Sequence, residues 1–188
     1  MKRVRGQLRI IGGRWRSRLV EFDAADGVRP TPDRVRQTLF DWLAPVIEGA
    51  RCLDLFAGSG ALGFEALSRG AAHVTFVEQG AAQLEAIRAA AVRLAAQDRA
   101  TVLQADAIAH LAGDRGRYDI VFLDPPYDGD LLSAALARVG NVLLPGGRVY
   151  LEWRKGRRPE LPAGYAWLKE KAAGQVSYGL LSHSELRA

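Results

Sequence analysis

The sequence has 188 residues, of which 48% are hydrophobic and 25% are charged, as is typical of a soluble globular protein. This length allows one buried core without disulfides or a structural metal, and the single cysteine, Cys52, excludes a disulfide framework and a cysteine-based zinc cluster. No run of about 18 apolar residues predicts a transmembrane helix, and no apolar segment of a signal peptide follows the basic first residues, so we expect a cytoplasmic protein.

The net charge of +5 is unevenly distributed along the chain. Residues 1–36 contain 10 Lys or Arg and 4 Asp or Glu, a local charge of +6. Residues 37–153 contain 9 and 14, a local charge of −5, and residues 154–188 contain 7 and 3, a local charge of +4. A solvated surface accounts for some patterns of this kind. The alternative is a polyanion-binding surface formed by the basic ends beside a site in the acidic middle.

The first elements are predicted to form a β-hairpin. Residues 7–11 have the pattern of a strand, Gly12-Gly13 is a typical hairpin turn, and residues 14–22 are expected to form the second strand. The period of two places three cations on one face of the second strand: Arg14, Arg16 and Arg18. Trp15 is expected to pack rather than to stack on a base.

A helix is predicted next. Thr31 is the expected N-cap and Pro32 the first helical residue, and apolar residues follow at helical spacing as far as Val46. Arg34 and Arg36 lie in the first turns, where the helix dipole disfavours cations. For both arginines the two alternatives are therefore contact with a ligand and simple exposure to solvent.

From residue 51 the pattern alternates between strands and helices. Strands are predicted at residues 52–56, 73–78, 101–104, 118–123, 148–153, 165–171 and 175–181. Helices are predicted at residues 61–69, 81–97 and 130–140, with a short helix that begins at residue 106. This alternation predicts a parallel sheet covered on both faces.

A glycine-rich turn follows the first of these strands. Gly58, Gly60 and Gly63 satisfy G-x-G-x-x-G between a predicted strand and a predicted helix, where the backbone turns tightly and approaches a ligand closely. Glu78 lies 20 residues after Gly58 at the end of the next strand, where a carboxylate accepts hydrogen bonds from ribose hydroxyls. NAD enzymes use the same turn to bind a pyrophosphate, so the turn alone leaves the cofactor open.

Two further carboxylates argue against a dinucleotide. Asp54 directly precedes the glycine-rich turn, where it would repel a pyrophosphate but would suit the ammonium and sulfonium groups of S-adenosylmethionine. Asp106 follows the third strand of the sheet and is placed to accept a hydrogen bond from an adenine amino group. Asp106 is equally suited to cap the next helix, and both roles are compatible.

The segment Asp124-Pro125-Pro126-Tyr127 ends the fourth strand of the sheet. Two prolines hold the backbone rigid and remove two amide donors, which leaves a carboxylate, carbonyl oxygens and an aromatic ring. An exocyclic base amine is a poor nucleophile because its lone pair is delocalised. Acceptance of its two hydrogens by Asp124 and the Pro125 carbonyl frees that lone pair, while Tyr127 stacks on the base.

These motifs resemble those of known enzymes. Residues 54–63 look like motif I of class I S-adenosylmethionine-dependent methyltransferases, and residues 124–127 resemble the (Asn/Asp/Ser)-Pro-Pro-(Tyr/Phe/Trp) motif of amino-methyltransferases. Residues 8–13, 29–36 and 40–43 resemble the RsmD family, and the similarity covers nearly the whole chain in order. Gln37 and Asp41 stand where we expect Glu and Asn in that family.

The resemblance implies a fold, a reaction and a partner. The fold is a Rossmann-like, doubly wound, seven-stranded and mostly parallel α/β sheet with an antiparallel C-terminal hairpin. The reaction is methyl transfer from S-adenosylmethionine, without a metal, to guanine N2 of 16S rRNA, at nucleotide 966 of the standard rRNA numbering. The implied substrate is an assembling 30S subunit, and we expect a monomer with no membrane partner. Residues 1–28 are interpreted as an RNA-binding β-hairpin extension and residues 29–188 as the methyltransferase domain.

The candidate site residues fall into three groups. The candidate catalytic residues are Asp124, Pro125, Pro126 and Tyr127. The candidate cofactor-binding residues are Asp54, Phe56, Ala57, Gly58, Ser59, Gly60, Glu78, Gln79, Asp106, Ala107, Arg29 and Thr31. The candidate RNA-binding residues are Arg3, Arg5, Arg14, Arg16, Arg18, Arg34 and Arg36. The basic cluster at residues 154–158 stays unassigned between RNA contact and solvated surface.

Three other functions compete with this interpretation. An adenine-N6 DNA methyltransferase shares the Pro-Pro motif, but the chain has no room for a separate target-recognition domain. An NAD-dependent oxidoreductase would use the glycine-rich turn but would leave Asp54 and residues 124–127 without a role. A non-catalytic RNA-binding protein of the same fold would have no need for the intact acids.

Overall fold

The computed structural model describes residues 5–24, 30–113, 116–127 and 130–183. Within these residues the chain forms nine strands and five α-helices. The strands are β1 (Arg5–Arg9), β2 (Leu19–Asp23), β3 (Arg51–Asp54), β4 (His73–Glu78), β5 (Ala100–Gln104), β6 (Tyr118–Leu123), β7 (Leu143–Arg154), β8 (Tyr165–Ala173) and β9 (Val176–His183). The helices are α1 (Asp33–Leu43), α2 (Ala61–Ser68), α3 (Ala81–Arg93), α4 (Ala107–Gly113) and α5 (Leu131–Val139).

Seven of the described strands form one sheet in the order β5-β4-β3-β6-β7-β9-β8. Strands β5, β4, β3, β6 and β7 run parallel, whereas β9 is antiparallel to both β7 and β8. The strand order reverses between the central strands β3 and β6. The predicted doubly wound, mostly parallel sheet with an antiparallel C-terminal hairpin is confirmed. In sheets of this kind, ligands bind at the carboxyl ends of the strands beside the reversal point.

Alternate residues of the central strands face opposite sides of the sheet. Cys52 and Phe122 pack with the core residues of α1, α2 and α3, whereas Leu53 and Val121 pack with those of α4 and α5. The period of two along a strand explains why a nearly continuous apolar run supplies both layers. Cys52 is fully buried in this core.

The N-terminal strands β1 and β2 pair antiparallel as a separate two-stranded sheet. The predicted tight turn at Gly12-Gly13 is wrong, because residues 10–18 form a long connection with a 3-10 turn at Gly13–Trp15. The second strand therefore covers residues 19–23 and not 14–22. Three arginines lie exposed in this connection rather than on one strand face: Arg14, Arg16 and Arg18.

Contacts with α2 explain this long connection. The Gly12 amide donates to Glu65 Oε1 at 2.8 Å, and the Trp15 amide donates to Ser68 Oγ at 2.9 Å. A Cβ atom at Gly13 would overlap the carbonyl oxygen of Ser68, so only glycine fits there. Trp15 is buried, as predicted. Because α2 runs back toward the amino ends of the strands, these contacts place the connection on that side of the sheet.

The hairpin shares its core with the rest of the chain. Leu8, Ile10, Val20 and Phe22 are buried in the same apolar cluster as the core residues of α1, α2 and α3. The predicted division between residues 28 and 29 lies outside the described residues. It stays a prediction, and the described part of the hairpin is packed onto the larger sheet's helices.

Helix α1 begins one residue later than predicted. Asp33 is its first residue, and Pro32 occupies the N-cap position without a side-chain hydrogen bond. The prediction that Thr31 caps this helix is wrong, because the Thr31 hydroxyl points toward the end of β7 and lies 3.0 Å from Glu152 Oε1. The Thr31 hydroxyl therefore forms a hydrogen bond with the sheet and not with the first turn of α1.

Candidate active site

Four of the predicted acids lie at one edge of the sheet. Asp54 ends β3, Glu78 ends β4, Asp106 follows β5 and Asp124 follows β6. These four strands are parallel and adjacent, so their carboxyl ends meet at this edge. The edge includes the point between β3 and β6 where the strand order reverses, which is the expected position of a ligand crevice.

The glycine-rich turn joins β3 to α2 and is tied to β4. Gly58 and Gly60 have φ values of 51° and 75°, a left-handed conformation that favours glycine. The Gly58 amide donates to Glu78 Oε2 at 2.8 Å, and the Gly80 amide donates to Glu78 Oε1 at 2.7 Å. Glu78 is half-buried and thus organises the turn in addition to its predicted ribose contact.

Three further turn residues predicted to bind the cofactor lie in the same segment. Phe56 is half-buried, whereas Ala57 and Ser59 are buried. The Ala57 amide donates to the carbonyl of Val77 at 3.0 Å, which fixes the turn against β4. The backbone of this turn is therefore held in place by β4 at both Ala57 and Gly58.

Asp54 is buried beneath the turn. Its Oδ2 accepts a hydrogen bond from the Gly63 amide at 3.0 Å, in the first turn of α2. Burial raises the pKa of Asp54 from 3.8 to about 7, the Gly63 hydrogen bond opposes this rise, and the charge of Glu78 adds to it. Asp54 thus both supports the helix and places a carboxyl group under the predicted methionine-binding end of the crevice.

The raised pKa of Asp54 predicts a pH-dependent stability. The folded protein retains a proton that the unfolded chain has released between about pH 4 and pH 7, so the free energy of unfolding falls as the pH rises through this range. The Asp54→Asn variant keeps an acceptor for the Gly63 amide. We expect it to gain a few kcal/mol relative to the parent between these pH values, at about 1.4 kcal/mol per pKa unit. Urea unfolding at both pH values measures the difference, and a difference independent of pH would contradict the raised pKa.

Gln79, Asp106 and Ala107 form the part of the edge beside β5. Gln79 Nε2 donates to Asp106 Oδ2 at 2.8 Å, and the Ala109 amide donates to Asp106 Oδ1 at 2.8 Å. Asp106 therefore caps α4, the structural role considered beside adenine binding. Asp106 and Gln79 are exposed, whereas Ala107 is buried at the start of α4, so the two polar side chains stay accessible to a ligand.

The Asp124-Pro125-Pro126-Tyr127 segment leaves the sheet at the end of β6. Asp124 is partly exposed, Pro125 is buried, and Tyr127 is 47% exposed. Burial raises the pKa of Asp124 well above 3.8, the charges of Glu152 and Asp54 raise it further, and a hydrogen bond from Thr31 lowers it. The segment thus carries an accessible aromatic ring and a partly exposed carboxyl, and the acceptor-rich pocket with a stacking plate stays a prediction.

Glu152 is a site residue that the sequence reasoning missed. It lies on β7, is only 3% exposed, and its Oε1 accepts hydrogen bonds from Tyr150 at 2.7 Å and Thr31 at 3.0 Å. Burial raises the pKa of Glu152, whereas these two hydrogen bonds lower it. The sequence does contain an indication of this residue, because Glu152 lies within the apolar segment of residues 149–153. Charged residues are almost never fully buried unless they are paired.

Comparisons with known proteins show the family of this chain. The model of the family described as "Conserved hypothetical protein 95" matches residues 8–182. Ribosomal RNA small subunit methyltransferase D of Escherichia coli K12 is 44% identical over 178 residues, 93% of this chain and 89% of the relative. The protein of the same name from Haemophilus influenzae is 40% identical and covers 94% of both chains. The chain belongs to the RsmD family.

Solved structures share the fold. The Escherichia coli protein yhhF superposes with a TM-score of 0.86 at 43% identity and covers 95% of this chain and 99% of its own. RsmC of Thermus thermophilus, a 16S rRNA N2 G1207 methyltransferase solved with AdoMet and guanosine, superposes with a TM-score of 0.69 at 21% identity, over 97% of this chain and 50% of its own. The RsmC likeness shows that this chain has the methyltransferase fold.

The acids of this RsmD-family site suit a positively charged ligand. Among the described residues, no ion pair involves Asp54, Asp124 or Glu152. Asp124 is destabilised as an anion by both of the other carboxyls, and a bound cation would relieve that repulsion. The residues therefore fit S-adenosylmethionine, whose ammonium and sulfonium groups carry positive charge.

The structure corrects one predicted RNA contact. Arg36 is 1% exposed, and its guanidinium pairs with Glu65 at 3.4 Å and Asp33 at 2.6 Å. It also donates to the carbonyl oxygens of Arg9 at 2.9 Å and Thr31 at 3.1 Å. Such a buried and fully paired cation cannot contact a phosphate, so the RNA-binding prediction for Arg36 is wrong. Its role is to hold β1 and the Thr31 backbone against α1.

The other predicted arginines differ in position. Arg5 and Arg34 are exposed, as are the three arginines of the β1–β2 connection. Arg3 and Arg29 lie outside the described residues. In the C-terminal basic cluster, Arg158 pairs with Glu170 at 2.8 Å and lies 4.5 Å from the Trp167 ring centroid, whereas three other cations are exposed: Arg154, Lys155 and Arg157.

Two further features concern metal ligands and membrane-spanning helices. The described residues contain no group of three or more His, Cys, Asp or Glu side chains arranged to hold a metal ion. None of the helices within these ranges is both long and apolar enough to cross a membrane.

Proposed function

We propose that this protein transfers a methyl group from S-adenosylmethionine to the exocyclic N2 of a guanine in 16S rRNA. The observation that carries the proposal is the Asp124-Pro125-Pro126-Tyr127 segment at the end of β6, directly beside the glycine-rich turn that ends β3. The names and high identity of the curated relatives in Escherichia coli and Haemophilus influenzae support it. We further propose guanine 966 of an assembling 30S subunit as the target, and a cytoplasmic monomer as the active form.

The residues of the site divide the work of this reaction. S-adenosylmethionine, when bound, supplies an electrophilic methyl group on a sulfonium. Asp124 and the Pro125 carbonyl accept the two amine hydrogens, so that the nitrogen lone pair is free for attack, and Pro126 holds this backbone rigid. Tyr127 stacks on the extruded base. This arrangement orients the amine without a covalent intermediate.

The glycine-rich edge is the proposed cofactor site. Asp54 and the backbone of residues 56–60 face the methionine part, and Glu78 accepts hydrogen bonds from the ribose. Asp106 accepts from the adenine amine, with Gln79 and Ala107 beside it. Thr31 lies next to Asp124, where it borders the same pocket.

The identity of the methylated nucleoside tests the proposed function. Small subunits from a strain that lacks this activity are incubated with the purified protein and a tritiated methyl donor, then digested to nucleosides. We expect label in N2-methylguanosine from 16S rRNA. Label in N6-methyladenosine, or no transfer together with binding of NAD by calorimetry, would contradict the proposal. Naked 16S rRNA in a parallel reaction tests the particle as substrate, and we expect it to be methylated more slowly.

The exposed cations after β7 are a proposed RNA contact at the active edge. Arg154 ends β7, two residues after Glu152, and is exposed, whereas Arg158 is held by Glu170 and Trp167. We expect the Arg154→Gln variant to weaken RNA binding. Its log affinity should also fall less steeply with log salt, by roughly one unit of slope, as for one lost phosphate contact. The Arg158→Gln variant is the matched control and is expected to keep the slope of the parent, whereas a slope of the parent's size for Arg154→Gln would exclude a phosphate contact by Arg154. Binding of labelled rRNA at several salt concentrations measures both.

The exposed N-terminal arginines stay a second proposed RNA contact. The group consists of Arg5, Arg14, Arg16, Arg18 and Arg34. The connection between β1 and β2 lies toward the amino ends of the strands, so its three arginines would reach RNA away from the reacting base. Such contacts with the backbone position an RNA without reading its sequence.

A further inference from the structure

Three polar side chains form a line of hydrogen bonds behind the Asp124 carboxyl. Tyr150 donates its phenolic hydrogen to Glu152 Oε1 at 2.7 Å, and Thr31 Oγ1 lies 3.0 Å from the same oxygen. Thr31 Oγ1 is also 3.4 Å from Asp124 Oδ2. Thr31, Tyr150 and Glu152 are all buried. One buried hydroxyl therefore joins the two carboxyl groups.

The hydrogen atoms of this line can be counted. Thr31 has one hydroxyl hydrogen, so it cannot donate fully to two carboxylates. Every contact is satisfied when Asp124 is protonated on Oδ2 and donates to Thr31 Oγ1, while Thr31 donates to Glu152. In this arrangement Glu152 is the anion and accepts two O–H hydrogen bonds, which stabilise its charge. The pair then carries one proton and one negative charge.

We propose that Asp124, Thr31 and Glu152 form a proton relay in which Glu152 is the final acceptor of the proton released by the substrate amine. This inference rests on the proposed function and assigns Glu152 and Thr31 as positioning residues that act through Asp124. It explains why β7 carries a buried glutamate that forms no ion pair with any of the described residues.

The relay conserves protons and charge. As the amine is methylated, its N–H bond breaks and the proton passes to Asp124 Oδ1. Asp124 Oδ2 gives its proton to Thr31 Oγ1, and Thr31 gives its own hydroxyl proton to Glu152 Oε1. One proton leaves the amine and one arrives on Glu152. The negative charge of Glu152 is neutralised in the same step in which the positive charge of the methyl donor is lost.

The surroundings disfavour ionisation of both carboxyls. Burial and the charges of Glu152 and Asp54 raise the pKa of Asp124 well above its ordinary value, and burial also raises the pKa of Glu152. Because Tyr150 donates its hydroxyl hydrogen to Glu152 Oε1 at 2.7 Å, the proposed relay places the negative charge on Glu152 and the shared proton on Asp124 in the resting protein.

The other titratable and charged groups near this line are Asp54, whose charge raises the pKa of Asp124, three tyrosines and one arginine. Burial first, then the charges of Asp124 and Glu152, raises the pKa of Tyr127, and burial together with Glu152 raises that of Tyr150. Tyr178 on β9 faces Tyr150, with ring centroids 6.3 Å apart. Arg36 contacts the Thr31 carbonyl at 3.1 Å, but its charge is paired with Glu65 and Asp33.

Replacement of the final acceptor distinguishes a relay from a lone base. The Glu152→Gln variant keeps the shape of the side chain but cannot accept the proton. We expect its kcat to fall about 100-fold, within the range of general-base contributions, while its affinities for rRNA and S-adenosylhomocysteine stay unchanged. If Asp124 alone accepted the proton, the Glu152→Gln variant would keep the kcat of the parent. That result would overturn the relay.

Two variants of Thr31 test the connecting hydroxyl. The Thr31→Ser variant keeps the hydroxyl, and the Thr31→Val variant replaces it by a methyl group of similar size. Without the hydroxyl no proton can pass on to Glu152, so Asp124 has to be ionised before it accepts one, and burial holds its pKa well above the ordinary value. We therefore expect the acid limb of the kcat–pH profile to move to higher pH in Thr31→Val and to stay in place in Thr31→Ser. Coincident profiles for the parent and Thr31→Val would overturn the relay.

A measurement on the free protein gives a readout independent of activity. Carbon-13 NMR of labelled Asp carboxyls, with the Asp124 signal identified by its loss in Asp124→Asn, reports whether Asp124 is neutral. We expect a neutral Asp124 in the parent at neutral pH and a lower pKa for it in Glu152→Gln. An ionised Asp124 in the parent would overturn the inference. Absence of methyl transfer by the parent would overturn the proposed function instead, so the two failures are distinguishable.

Discussion

Replacement of Glu65 by glutamine is expected to lower the free energy of unfolding by about 3–5 kcal/mol, because it leaves the buried Arg36 without its buried counterion and with only the exposed Asp33 as an ion-pair partner. Glu65 is fully buried on α2, and its two oxygens accept from Arg36 at 3.4 Å and Arg69 at 2.7 Å. They also accept from the amides of Ile11 and Gly12 at 2.9 and 2.8 Å. One carboxylate thus ties α1, α2 and the β1–β2 connection together. A loss of this size is a large part of the roughly 5–15 kcal/mol that stabilises a domain.

A matched control is present on the next helix. Glu85 pairs with Arg88 at 3.3 Å on α3, and both side chains are largely exposed. The Glu85→Gln variant is expected to lose at most about 1 kcal/mol, as exposed ion pairs do. Urea denaturation followed by circular dichroism compares the two variants. Equal and small losses would show that the Glu65 network does not hold the N-terminal elements.

Removal of the Asp124 side chain is expected to abolish most of the methyl transfer. The Asp124→Ala variant lacks the carboxyl that accepts an amine hydrogen, and acceptance of a proton by a positioned side chain contributes about 10²–10⁴-fold to a rate. We expect kcat on undermethylated small subunits to fall by this factor, measured with a tritiated methyl donor. The affinity for S-adenosylhomocysteine, measured by calorimetry, is expected to stay close to that of the parent because the glycine-rich turn is intact.

Asp119 supplies the control on the same strand. It lies near the amino end of β6, away from the site, and accepts a hydrogen bond from the Arg51 amide at 2.8 Å. The Asp119→Ala variant is therefore expected to keep the kcat of the parent. Full activity of the Asp124→Ala protein would exclude the proposed role of Asp124, whereas equal losses for both variants would point to a general effect on β6.

The sheet and one edge of the site were predictable because they depend on local patterns. The alternation of apolar strands and helices defines a parallel sheet, and the carboxyl ends of parallel strands lie at one edge. Asp54, Glu78, Asp106 and Asp124 each follow or end such a strand, so their gathering follows from the topology alone. The backbone demand for glycine at Gly58 and Gly60 is likewise local, since it arises from positive φ.

The errors arose where distant residues decide a local conformation. Gly12 and Gly13 favour a tight turn by themselves, but hydrogen bonds to Glu65 and Ser68 on α2 extend the connection instead. Arg36 has the sequence context of a surface cation at a helix start. Its burial follows from the position of Glu65, which is 29 residues away along the chain.

The unevenly distributed charges of the sequence are partly exposed and partly paired in the folded chain. The sequence by itself determined the α/β class, the glycine-rich turn and the acids at the strand ends, because strand periodicity, backbone dihedral preferences and topology act over a few residues. Only the tertiary structure decided which charges are free and which are paired. Arg36 and Arg158 are held by glutamates, and Glu152 joins Asp124 through Thr31. Burial and pairing depend on which strands and helices become neighbours, and the local sequence pattern does not predict these neighbours.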